Sequence, residues 1–173
     1  MGELWRCHKT AMVIGSLGTA GIGAAWYVPP VYGVQFVQKY DDLPANAVSL
    51  AEMLGWFIPT ALALFVGMLV DRWGASKVHT LALLLGSVLA PMPMFYWWTH
   101  TPQSSAIAAV YVGEAILGLL LALTTSVYLW VVELFPVRVR STGVSIAYNL
   151  GIGVFGGLGP VLSDAGNLVI SPR

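Results

Sequence analysis

Glu114 is the one charge-bearing side chain set inside an apolar run and away from its ends. It lies eight residues past Ala106, or roughly 12 Å into that run at the helical rise per residue. A carboxyl at that depth in hydrocarbon is costly when charged. It needs a water-filled cavity, a cation beside it or a bound proton, which is the chemistry of proton coupling or of contact with a cationic solute. A second reading stays open, in which the side chain lies near an interface and reaches out to water. Tyr27, Tyr32, Tyr128, Tyr148 and Asn149 are the other polar groups singled out within apolar runs. Ring faces suit amine cations and hydroxyls suit carboxylates. The same groups also serve as glue between helices. Trp26 and Trp130 read as packing or interface anchors.

Other chemistries find no footing. His8, His79 and His100 fall in loops or at span ends, and Cys7 is the single cysteine. No metal cluster or disulfide framework is therefore expected. Gly15, Gly18, Gly21 and Gly23 sit in a hydrophobic run with no strand before them, so they do not make a dinucleotide fingerprint. No nucleophile, base and acid assemble, so an enzyme is not expected, nor a cofactor. Zero net charge argues against a nucleic-acid partner.

The elements that must position these groups are membrane helices. Of the 173 residues 57% are hydrophobic and 9% charged, against about 25% charged in a soluble domain. Five apolar runs are bounded by charge or turn residues, over residues 10–37, 50–70, 78–98, 106–132 and 142–162. The first is too long for a signal-peptide core and has no clean cleavage site. Pro29 and Pro30 should kink or end it. Glu52 is expected in the first turn of the second, where a carboxylate suits the helix dipole. Tyr96, Trp97 and Trp98 close the third as an aromatic belt.

Charge placement supports this layout. Arg6, Lys9, Arg72, Lys77, Arg138 and Arg140, six of the eight basic residues, fall in alternate connections, while Lys39 and Arg173 fall in the others. Such a bias puts the N-terminus in the cytoplasm. Arg138 and Arg140 precede a helix start, where the dipole disfavours cations, so Glu133 or anionic lipid should compensate them.

Two strings carry a resemblance. Glu133, Leu134 to Pro136, Arg138, Arg140, Gly143-Val144, Tyr148 to Gly151 and Phe155 to Gly157 resemble the loop between the tenth and eleventh helices of major facilitator superfamily carriers. The match is to the metabolite:proton symporter branch, with its carriers for proline and betaine, α-ketoglutarate, citrate and shikimate. Gly67, Leu69, Asp71, Arg72 and Gly74 resemble the superfamily's Gly-x-Leu-x-Asp-Arg-x-Gly signature, with Ala75 and Ser76 where a basic pair is expected. These two stretches would act as conformational-switch loops, although Asp71 and Arg72 also read as a solvated turn.

The resemblance implies an all-α membrane protein whose five transmembrane helices correspond to helices seven to eleven of a twelve-helix fold. It implies proton-coupled symport of a small organic solute by alternating access, in a multi-pass protein of the plasma membrane. The expected partners are solute, proton, the bilayer and a missing N-terminal half, the chain being read as incomplete. Competing expectations are a sugar-porter-type facilitator, whose loop also pairs Glu with Phe-Pro and Arg, and a non-transporting truncated membrane protein.

Overall fold

The computed structural model describes residues 6–159 and 161. Among them every regular element is helical. Five helical segments follow one another: α1 (Lys9–Lys39), α2 (Ala45–Trp73), α3 (Ala75–His100), α4 (Gln103–Glu133) and α5 (residues 140–159). The first four are long and apolar enough to cross a membrane. The fifth, whose expected span runs past the described residues, is not among them. Part of the fifth expected span, residues 160 and 162, lies outside the described residues. Among the described residues there are therefore four candidate membrane spans and a fifth helix packed on them.

Prolines change the helices without ending them. Pro29 and Pro30 fall in a wide, π-type stretch, Val28–Gly33, and α1 runs on to Lys39. A second such stretch, Leu83–Leu89, leads into Pro91, with the Ala90 amide donating five residues back to Leu85 at 2.9 Å. Widening the turn re-seats the carbonyls that a proline leaves without a donor. A third stretch, Asn149–Gly156, opens α5. At the α2–α3 turn Gly74 has φ +85°, a left-handed backbone that favours glycine.

Two apolar cores fill the bundle, one toward each end. Met12, Val78, Trp130, Val131, Phe135 and Ala147 belong to the core beside the basic connections. Val34, Val48, Met94, Trp98, Ala106 and Val110 belong to the other. Glycine lets α1 and α5 meet at backbone distance: a Cβ built on Gly23 would lie 2.8 Å from the Gly156 Cα. Large apolar side chains face outward along the same helices, with Leu64 81% and Met92 80% exposed. Lipid or further protein is the environment that suits such a surface.

Candidate functional site

A cavity of about 560 Å³ lies between α1, α2, α4 and α5. Five aromatic residues wall it: Trp26 and Tyr27 from α1, Trp56 from α2, Tyr128 from α4 and Tyr148 from α5. Thr60, Thr124, Thr125 and Ser126 add hydroxyls, and no lining side chain is charged. The volume suits a small organic molecule.

The rings are fixed by contacts across helices. The Trp26 indole stacks on Trp56, with centroids 4.8 Å apart and planes at 27°. Its Nε1 donates to Thr124 Oγ1 at 2.7 Å, and that hydroxyl donates to the Leu121 carbonyl at 2.5 Å. Tyr128 and Tyr148 stack at 5.7 Å, and the Tyr148 hydroxyl donates to that of Tyr128 at 3.1 Å. Tyr128 is 57% exposed, so this corner of the cavity opens onto the surface of the chain. Aromatic faces turned into an uncharged hollow, with hydroxyls at their edges, can hold an organic cation by cation–π attraction and a carboxylate by hydrogen bonds.

Of the residues singled out in the sequence, Tyr27, Tyr128 and Tyr148 come together here. Tyr32 lies elsewhere, stacked on Phe36 at 6.4 Å. Asn149 donates to the Ser145 carbonyl of its own helix at 2.7 Å. Trp26, expected as a packing or interface anchor, packs against both cores and also walls the cavity, and Trp56 and Thr124 join it there without having been singled out. Polar groups on apolar helices gave no sign of which lateral direction they faced.

Glu114 is not in the cavity. It precedes Thr124 by ten residues, about 15 Å along α4. The packing of this chain alone buries it fully, at 0% exposure, and among the described residues neither carboxyl oxygen has a hydrogen-bond partner. The reading in which it reaches out to water is therefore corrected. Its carboxyl rests on α2 at Gly55, where any Cβ would overlap Oε2. α2 itself begins at Ala45, five residues before the apolar run, so Glu52 sits about two turns into the helix and not in its first turn.

His79 also departs from expectation. α3 starts at Ala75, which draws this residue from a span end into the bundle. It is 1% exposed and stacks on Trp130 at 3.9 Å, with neither ring nitrogen partnered among the described residues.

The connections hold as follows. Asp71 and Arg72 occupy the last turn of α2 and are exposed, and among the described residues neither forms an ion pair. Gly67 lines the cavity from the same helix. Glu133 and Arg138 are exposed. Arg140 Nε donates to the Phe135 carbonyl at 3.1 Å, so that carbonyl, and not Glu133, is its partner. Phe135 is buried against Gly143, which pins the α4–α5 turn to the bundle. Among the described residues no His, Cys, Asp and Glu grouping could hold a metal ion.

A chain with four helices long and apolar enough to cross a membrane is a multi-pass membrane protein, and its relatives are transporters. It is 26% identical over 152 residues to the ectoine/proline transporter ProP of Corynebacterium glutamicum, a match covering 88% of this chain and 28% of that protein. Against the citrate-proton symporter of Klebsiella pneumoniae it is 27% identical over 165 residues, covering 89% and 34%. Against the citrate-proton symporter of Salmonella typhi it is 29% identical over 156 residues, covering 87% and 34%. The resemblance to major facilitator proton symporters is borne out by these relatives. The matches span about a third of the length of the curated relatives. No family model matches the chain, and no solved structure does.

Proposed function

We propose that this chain forms one wall of a proton-coupled carrier of a small organic solute, working by alternating access in the plasma membrane with its N-terminus cytoplasmic. The observation that carries the reading is the aromatic, uncharged cavity in a chain related to proton symporters. Carriers with internal repeats bind solute near the bilayer midplane, between two halves that rock against each other. A cavity that opens past Tyr128 onto the surface of the chain suits one such half.

The solute class favoured is a zwitterionic amine of the proline or ectoine kind. Five aromatic residues offer ring faces to an amine cation, and no Lys, Arg or His lines the cavity to neutralise a polyanion such as citrate. The sugar-porter alternative has no relative in its favour. A cytoplasmic N-terminus rests on the basic bias of the connections at one end.

The test is uptake of labelled proline, ectoine and citrate into liposomes, with and without an imposed proton gradient. The chain is reconstituted alone and together with the preceding six-helix half of a relative. Gradient-dependent uptake of proline or ectoine by the pair is expected. Uptake of citrate alone would overturn the solute class, and no gradient-driven uptake of any solute would overturn the carrier reading.

A further inference from the structure

Glu114 is an acid group in a dry seam. It is fully buried by this chain's own packing, it has no partner among the described residues, and it lies against a glycine on the facing helix. That glycine sits in unusual company. Pro59 follows Gly55 by four residues and has no amide hydrogen, so the Gly55 carbonyl lacks its regular helical donor. An ionised Glu114 finds no donor among the described residues.

Glu52 precedes Gly55 by three residues, so it stands on the same face of α2 one turn away. It is only partly buried. Trp98 from α3, which comes close to this stretch of α4, is committed elsewhere: it lies against Gly113 and donates Nε1 to the Ala109 carbonyl at 3.1 Å.

We infer that Glu52 and Glu114 form a proton-exchange pair, in which half-exposed Glu52 loads and unloads the proton held by Glu114 in the α2–α4 seam. Resting on the proton-coupled reading, this names a residue for it. In the step, the O–H bond of a protonated Glu52 breaks as an O–H bond forms on the Glu114 carboxylate, directly or through one water. Water recharges Glu52, and the pair keeps one negative charge during the transfer. The route leads to the end of the bundle that carries the 41–44 turn.

The experiment uses the full chain in lipid nanodiscs and follows the infrared carbonyl band of protonated carboxylic acid after transfer to deuterated buffer. Glu114→Gln is expected to remove the band. Glu52→Gln is expected to keep it and to slow its deuterium shift on the order of a hundredfold, the scale of one positioned proton donor. Glu52→Asp should recover part of the rate, and Glu133→Gln, at an exposed helix end, should leave it unchanged. An exchange rate in Glu52→Gln equal to that of the unsubstituted chain overturns the pair, as does a band that survives Glu114→Gln. This readout is independent of transport: solute uptake indifferent to a proton gradient, with exchange still dependent on Glu52, sinks the coupling reading and leaves the pair standing.

Discussion

The contact between Glu114 and Gly55 shows how far one missing side chain can decide a seam. Gly55→Ala introduces a Cβ that overlaps the Glu114 carboxyl, and overpacking of this kind costs about 1–3 kcal/mol. Unfolding of the variant by a graded denaturing detergent should show that loss. In a Glu114→Ala background the same substitution should cost less, the difference being the coupling between the two positions. At the cavity, Trp26→Phe removes the donor to Thr124 Oγ1 but keeps the ring stack on Trp56. A loss of about 1 kcal/mol is expected in the same assay, and Thr124→Val should not add its full cost to it. Glu114 was legible in the sequence because a lone carboxyl in an apolar run has few ways to be comfortable. Trp26, Trp56 and Thr124 were not, since an aromatic or hydroxyl side chain on a membrane helix reads the same whether it faces lipid, a neighbour or a hollow.

Helix ends and helix pairing were legible to different depths. Charge and turn residues mark where each apolar run stops, but helices continue into polar sequence as long as the backbone finds partners. α3 therefore begins at Ala75 and buries His79, and α2 begins at Ala45 and carries Glu52 inward. The three widened turns had no readable signal beyond the prolines beside two of them. Pairing between α1 and α5 depends on Gly23 meeting Gly156. Gly23→Leu should push α5 away. A cysteine pair across that seam, in a chain lacking Cys7, should then lose its oxidative cross-link while α2 and α4 stay packed. An undiminished cross-link would show that glycine is dispensable there.

For the whole molecule, the folded chain places the start of α1, the start of α3, the end of α4 and the start of α5 together. Gly15 lies against Ala147, Leu134 and Val131, and Gly18 against Trp130 and His79. The basic connections thus gather at one end. Single cysteines at Ser76 and Val137, again without Cys7, should react with an impermeant thiol reagent from the same side of a sealed vesicle, and one at Asp42 from the opposite side. Labelling of 76 and 137 from opposite sides would break the topology. The seam closed by a carboxyl on a bare α-carbon reaches beyond this one molecule. Two positions that share a single gap cannot drift separately, so descendants of this chain that gain bulk at position 55 should have shed it at position 114. Comparing their sequences would read the pairing out of history without a single new mutant.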